Sequence, residues 1–155
     1  MSTTLDTAAQ APAAVRRVDQ LLAHYEESHR HPTNEIIHFV AIPLIMLSIL
    51  GLLFALHPWV AYAFLAASMV YYARLSLVLL AVMTVWTAVM LALVWAMGPH
   101  VVKISVALFV GGWIAQFVGH KLEGKKPSFF EDIQYLWVGP LFVVTRLMMK
   151  LGMRW

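Results

Sequence analysis

Residues 36–56 read IIHFVAIPLIMLSILGLLFAL, an apolar run that contains no Asp, Glu, Lys or Arg. About 20 apolar residues in a helix are enough to cross the hydrocarbon core of a bilayer, so this run predicts a membrane-spanning helix. The whole chain shares this character, because 61% of its 155 residues are hydrophobic and only 12% are charged. A soluble domain carries about 25% charged residues, and we therefore expect an integral membrane protein surrounded by the lipid bilayer.

Further apolar segments follow this run, each bounded by a turn signal: 59–72 before Arg74, 75–97 before Gly98-Pro99-His100, and 101–119. A last apolar stretch, Ile133 to Met149, contains Gly139-Pro140 and Arg146, which predicts a broken or interfacial helix. The predicted fold class is all-α. We expect a polytopic membrane bundle of about four transmembrane helices in antiparallel hairpins, followed by this C-terminal helix.

Length and composition narrow the possibilities further. Residues 1–14 are rich in Ser, Thr, Ala and Pro, which predicts a disordered tail, and 15–155 suits a single membrane-embedded helical domain. The chain has no cysteine, so any bound metal must be held by His, Asp or Glu. The basic residues form no stripe, so we expect no nucleic-acid partner, and the sequence leaves the oligomeric state open.

The basic residues indicate which ends of the spans face the cytoplasm. They cluster before the first span, in the second turn and after the fourth span: Arg16, Arg17, Arg30, Arg74, Lys121, Lys125 and Lys126. The positive-inside rule makes this side cytoplasmic. The same topology brings five of the seven histidines to that interface: His24, His29, His31, His38 and His120. His57 and His100 fall on the opposite face, where we expect turn residues.

Polar residues at the cytoplasmic ends of the first and fourth spans form two constellations. Asn34 and His38 are four residues apart and share one helix face, at a depth where a buried ring needs a polar partner. Near the end of the fourth span, polar side chains recur at helical spacing and form one stripe: Trp113, Gln116, His120 and Glu123. Polar residues within a membrane are functional candidates, although hydrogen bonds between helices would use the same residues.

Together the two constellations favour a metal site. Imidazoles from the first and fourth helices, at one depth, can converge on an ion such as iron, manganese or zinc. Glu123 either ligates or orients His120, whereas His24 and His31 fit exposed or capping positions better. Two alternatives stay open: a haem protein with His38 and His120 as axial ligands, and a non-enzymatic scaffold or transporter. A diiron hydroxylase or desaturase is rejected, because it needs more histidines than this face supplies.

The spacing of these residues resembles a known family. The pattern comprises Tyr25, His29, Pro32-x-Asn34, His38 and Pro43, followed by W-x-x-Q-F-x-G-H-x-x-E at 113–123, Pro127 and Pro140-x-Phe142. Over about 20–151 the chain is similar to the Mpo1-like family. The resemblance implies an Fe(II)-dependent dioxygenase of fatty acid α-oxidation. Its substrates would be a 2-hydroxy long-chain fatty acid and O₂, and its products CO₂ and the acid one carbon shorter.

The resemblance also assigns roles to residues. It implies that His29, His38 and His120 hold iron, with Glu123 as a further ligand or as a partner of a ligand, and that Asn34 and Gln116 belong to the same catalytic group. Substrate contacts are predicted for Tyr25, Trp113, Lys121 and Lys126. The implied location is the bacterial inner membrane or the endoplasmic reticulum, with the metal at the cytoplasmic interface. The bulky Ser128-Phe129-Phe130 departs from the usual pattern and leaves the preferred chain length open.

Overall fold

The computed structural model describes residues 15–27, 29, 31–124 and 135–155. In these ranges the chain forms six α-helices and no strand, so the predicted all-helical fold is confirmed. The helices are α1 (Arg17–Glu26), α2 (Pro32–Leu56), α3 (Pro58–Ala73), α4 (Leu77–Ala96), α5 (Val101–Glu123) and α6 (Val138–Lys150). A single 3₁₀ turn, Gly98–His100, leads into α5. The predicted tail, 1–14, lies outside the described residues.

Three helical segments in the described part of the chain are long and apolar enough to span a membrane: α2, α4, and the continuous stretch 98–123. Helix α3 has only 16 residues, about 24 Å of helix, and falls short of a hydrocarbon core of about 30 Å. The expected four spans are therefore three long helices and one short one. Large apolar side chains face outward, with Val85 65% and Ile114 58% exposed. Such a surface fits a protein embedded in a membrane.

Two of the helices begin with the same arrangement, a proline in the first turn preceded by a histidine. Pro32 and Pro58 occupy the first turns of α2 and α3, where a missing backbone N–H costs nothing. The histidine before each proline caps the helix. The His31 ring accepts a hydrogen bond from the Thr33 backbone N–H at 3.2 Å, and the His57 ring accepts one from that of Trp59 at 3.2 Å. The predicted turn at His57-Pro58 is thus the boundary between α2 and α3.

Helices α2 and α5 run antiparallel in close contact, and small residues set their distance. A Cβ built at Gly112 would lie 2.6 Å from Ile45 Cγ1, and one built at Gly51 would overlap Ser105 Oγ. A Cβ at Gly119 would overlap Asn34 Oδ1. Helices pack this tightly in membranes where glycine and serine replace bulkier residues.

Helices α1 and α6 close one end of the bundle. Helix α6 is continuous from Val138, because Gly139 and Pro140 lie in its first turn, where proline is tolerated. Of the two predicted forms, a broken helix and an interfacial helix, the break is therefore absent from α6. Its first eight residues are buried, and Leu141 and Phe142 pack in one core with residues of α1, α2 and α4. At 13 residues, about 20 Å, α6 is too short to span.

Candidate metal centre

Three buried histidines from three parts of the chain meet at the end of the bundle that α1 and α6 close. His29 lies between α1 and α2, His38 in the second turn of α2, and His120 in the last turn of α5. A nitrogen of each ring lies within 4.8 Å of the others. The rings are at most 6% exposed. We call these three residues the triad. The spacing is compatible with three ligands of a single ion after small side-chain movements.

Backbone carbonyl groups orient two of the triad rings. His29 Nδ1 lies 2.7 Å from the Tyr25 carbonyl oxygen, and His38 Nδ1 lies 2.9 Å from that of Asn34. A carbonyl oxygen only accepts hydrogen bonds, so Nδ1 carries a proton in both rings, and Nε2 carries the lone pair when the ring is neutral. Metal-ligating histidines are held in this way in proteins. The local backbone therefore orients both rings so that Nε2 can act as the ligand atom.

Aromatic stacking supports His29, the triad member that lies outside the long helices. The Tyr25 ring is parallel to the His29 ring, with an interplanar angle of 12° and centroids 4.2 Å apart. Phe142 of α6 lies 5.1 Å from Tyr25 and 6.1 Å from His29, centroid to centroid. Helices α1 and α6 thus hold His29 against the ends of α2 and α5.

Glu123 lies beside the triad and outside it. Its Oε2 accepts hydrogen bonds from the His31 backbone N–H at 2.9 Å and from Asn34 Nδ2 at 3.0 Å. A carboxylate at the start of a helix is favoured by the helix dipole. Glu123 therefore joins the C-terminal end of α5 to the N-terminal end of α2, next to His38 and His120.

The remaining four histidines lie outside the triad. His24 is exposed, 3.5 Å from a carboxylate oxygen of Glu27, and His31 caps α2. His57 caps α3 at the other end of α2, 19 residues beyond His38 and so about 28 Å away along the helix. His100 ends the 3₁₀ turn before α5. None of these belongs to the triad.

An apolar cavity of about 240 Å³ is lined by residues of α1, α2, α5 and the segment 135–140, and the triad histidines are not among them. Tyr25, which stacks on His29, and Gln116, one turn before His120, line it together with Trp113. The structure thus places two predicted substrate residues, Tyr25 and Trp113, in one cavity wall. Lys121 is exposed on α5, and Lys126 lies outside the described residues.

Other residues of this region carry no distinctive signal in the sequence. Ile42, Ile49 and Phe109 line the cavity but read as ordinary membrane-helix residues. On the other side of His29 lies a polar cleft that contains Arg146. The Arg146 guanidinium lies 3.3 Å from a Glu26 carboxylate oxygen and 3.6 Å from one of Glu35. His29 therefore lines a polar cleft, and Tyr25, which stacks on His29, lines the apolar cavity.

These features define a helical membrane protein with a buried group of three histidines beside an apolar cavity. Residues 15–151 match the family described as "2-hydroxy-palmitic acid dioxygenase Mpo1-like". The chain therefore belongs to the Mpo1-like family, and the resemblance of the sequence motifs is confirmed.

A curated relative is the 2-hydroxy-palmitic acid dioxygenase MPO1 of Saccharomyces cerevisiae. It is 28% identical over 138 residues, which cover 84% of this chain and 79% of the relative. No solved structure matches the chain. Family membership and the relative's name support a role related to 2-hydroxy fatty acid oxidation.

Proposed function

We propose that this protein is an Fe(II)-dependent dioxygenase of fatty acid α-oxidation. A 2-hydroxy long-chain fatty acid and O₂ would yield CO₂, water and the fatty acid one carbon shorter, so that all atoms balance. The observation that carries the proposal is the triad, three buried imidazoles whose ligand atoms lie within 4.8 Å of one another. The name of the yeast relative supports the substrate class.

The donor set of the triad fits a non-haem iron site. Three neutral imidazoles suit a first-row metal ion and leave coordination positions for small ligands. Iron bound there would supply the redox chemistry that a reaction with O₂ needs. His29, His38 and His120 would hold it. Asn34 and Glu123 would act through His38, because the Asn34 carbonyl oxygen fixes its ring and Glu123 binds the Asn34 amide. We retain direct ligation by Glu123 as the less favoured form of the proposal.

The cavity supports an amphipathic substrate. Its apolar walls would bury the acyl chain, with Tyr25 and Trp113 in contact with it. The Gln116 amide, at the end next to the triad, would hydrogen-bond the polar head group of the substrate. Lys121 and Lys126 would attract the carboxylate at the interface before it enters. Burial of each methylene group contributes about 0.8 kcal/mol, so chain burial would supply much of the binding free energy.

We further propose that the triad end faces the cytoplasm, in the bacterial inner membrane or the endoplasmic reticulum. Arg16, Arg17 and Lys121 lie at this end, as the positive-inside rule requires. Trp59 and Trp95 lie at the other end of the bundle and are 73% and 59% exposed. Tryptophan is enriched where a membrane meets water, which supports an interface at that end. A substrate dissolved in the bilayer would then reach the cavity from the lipid.

The two alternatives fit the site less well. A haem would have to lie between His38 and His120, yet α2 and α5 approach there so closely that a Cβ at Gly119 would overlap Asn34. In a scaffold or transporter the polar residues would serve only to hold helices together by hydrogen bonds. That role does not require three buried imidazoles that converge on one point. Both arguments favour a non-haem metal.

Turnover by the iron-loaded protein tests the proposal. We expect 2-hydroxypalmitate labelled with ¹³C at C1 to give labelled CO₂ and pentadecanoate in air, and palmitate to stay intact. The His29→Ala variant should lose both iron and turnover, whereas His100→Ala, at the other end of the bundle, should keep both. An iron-loaded wild-type protein that leaves 2-hydroxypalmitate intact would overturn the proposal.

A further inference from the structure

We infer that the cavity beside the triad measures the acyl chain of the substrate, and that Ile49 and Phe109 at its far end set the longest chain accepted. The inference rests on the proposed function, because it places the head group of a 2-hydroxy fatty acid at the triad. It adds the residues that determine chain-length specificity and the direction in which the chain lies.

The cavity follows the two long helices away from the triad. On α2, Ile42 and Ile49 line it, one and three turns beyond His38. On α5, Gln116 and Phe109 line it, one and three turns before His120. Ile49 and Phe109 are each 11 residues from the triad histidine of their own helix, about 16 Å at 1.5 Å per residue. Because the helices are antiparallel, both residues lie at the same depth.

The polarity of the wall changes in the same direction. Tyr25 and Gln116 bring a hydroxyl and an amide to the triad end of the cavity. Ile49 and Phe109 at the far end are purely apolar. This gradient matches a fatty acid whose head lies towards the triad and whose methyl end lies beside the α2–α5 pair, against Ile49 and Phe109. It does not match a ligand that is polar at both ends.

A glycine allows a side chain to be added near the triad end. Gly139 forms part of the cavity wall, and a Cβ built there would lie 3.4 Å from Ile42 Cδ1 and 3.6 Å from the Tyr25 hydroxyl oxygen. These are ordinary van der Waals distances, so the site accepts a Cβ, and a longer side chain would extend into the cavity. Bulk can therefore be added at two depths, at Gly139 near the triad and at Ile49 far from it.

The chain-length profile of the variants tests the inference. We would measure kcat/KM for saturated 2-hydroxy acids from octanoate to icosanoate. Ile49→Phe should leave kcat/KM for the shorter acids unchanged. For the longest acids it should lower kcat/KM about fourfold for each methylene group that no longer fits in the cavity. Phe109→Ala should move the optimum to longer chains. Gly139→Leu should lower kcat/KM for the whole series. Val110→Phe is the matched control, because Val110 is 51% exposed on α5 and should keep the wild-type profile.

A binding measurement accompanies the kinetics. A ligand that binds the folded protein raises its thermal unfolding midpoint. For the metal-free wild type, the rise should grow with chain length up to a limit, and the limit should be shorter in Ile49→Phe. This readout does not depend on turnover, and the iron content of each variant reports whether the triad is intact.

The outcomes separate this inference from the proposed function. If the wild type turns over no 2-hydroxy acid, the proposed function fails, and the unfolding midpoints still decide whether the cavity measures chains. If the wild type is active but Ile49→Phe and Phe109→Ala keep its chain-length profile, the inference is overturned and the function stands. Should Ile49→Phe not fold, Phe109→Ala decides the question alone, and an unchanged optimum overturns the inference.

Discussion

The two ends of the α2–α5 pair have the same kind of helix contact and differ in the elements that pack against them. At each end a glycine brings one helix against a polar residue of the other, Gly51 against Ser105 and Gly119 against Asn34. At the Gly51 end the neighbouring core is apolar, with Leu50 and Val94 among its members. At the Gly119 end α1 and α6 cover the pair, and the connection before α2 brings in His29. Close helix packing is thus common to both ends. At one end only, the segment that carries His29 adds a third histidine and completes a candidate metal site.

The largest effect that separates the two ends should come from His38→Ala. Changes to residues that merely support a metal ligand cost about 10- to 100-fold in affinity, so loss of a ligand should cost more than about 100-fold. Iron retained after dialysis against a chelator, measured by elemental analysis, checks this. His57→Ala is the matched control at the other end of α2 and should retain iron as the wild type does. A His38→Ala variant that keeps a full equivalent of iron would refute the triad.

Alanine at the two contact glycines should affect stability at both ends of the α2–α5 pair but iron affinity at only one. Gly119→Ala and Gly51→Ala each force a polar side chain to move, and overpacking of this kind costs about 1–3 kcal/mol. Both variants should therefore unfold at lower temperature in detergent. Only Gly119→Ala should also lose iron affinity, because the added Cβ would lie 3.3 Å from His38 Cε1.

Gly111→Ala is the control for this pair. A Cβ built at Gly111 meets nothing within 4 Å, so both the unfolding temperature and the iron content should stay near the wild-type values. Equal loss of iron in Gly51→Ala and Gly119→Ala would mean that the metal depends on the overall packing of α2 and α5 and not on the local geometry at Gly119.

A smaller effect is expected from Glu123→Gln. The neutral amide weakens the hydrogen bonds to the His31 N–H and the Asn34 amide, which steady the start of α2 beneath His38. We expect an iron affinity lower by about tenfold, within the usual range for residues that support a ligand. Glu27→Gln, at an exposed site on the same end, is the control. A complete loss of iron in Glu123→Gln would instead favour direct ligation.

The smallest effects should come from the histidines at the other end. His57→Ala removes the cap of α3 and should cost about 1 kcal/mol of stability, visible as a small decrease in the unfolding midpoint. His100→Ala should change neither stability nor iron content. Loss of iron in either variant would contradict the separation of the two ends.

Local signals in the sequence predicted most of the helices. His57-Pro58 marks the end of α2 because a proline and a capping side chain act within one turn. The order of the spans also predicted that His38 and His120 share a depth, because the first span begins and the fourth span ends at the same interface. The number of spans did not follow from apolar character alone, because the turns that bound the apolar segment of α3 are too close together for a full crossing.

The unpredicted parts of the site depend on contacts between distant segments. Ile49 and Phe109 become cavity residues only because α2 and α5 pack in one particular register. The hydrogen bonds of Glu123 with α2 depend on distance, whereas helical spacing gives only the face on which a residue lies. The contacts of Arg146 with Glu26 and Glu35 likewise join three elements. No local pattern encodes such contacts.

The most direct test of the central claim is X-ray absorption at the iron edge, on protein loaded without oxygen with one equivalent of Fe(II). The account predicts the scattering of three imidazole ligands on one iron, and a spectrum altered in each of the His29→Ala, His38→Ala and His120→Ala variants. A spectrum without imidazole scattering, or one that is identical in the three variants and the wild type, would contradict it.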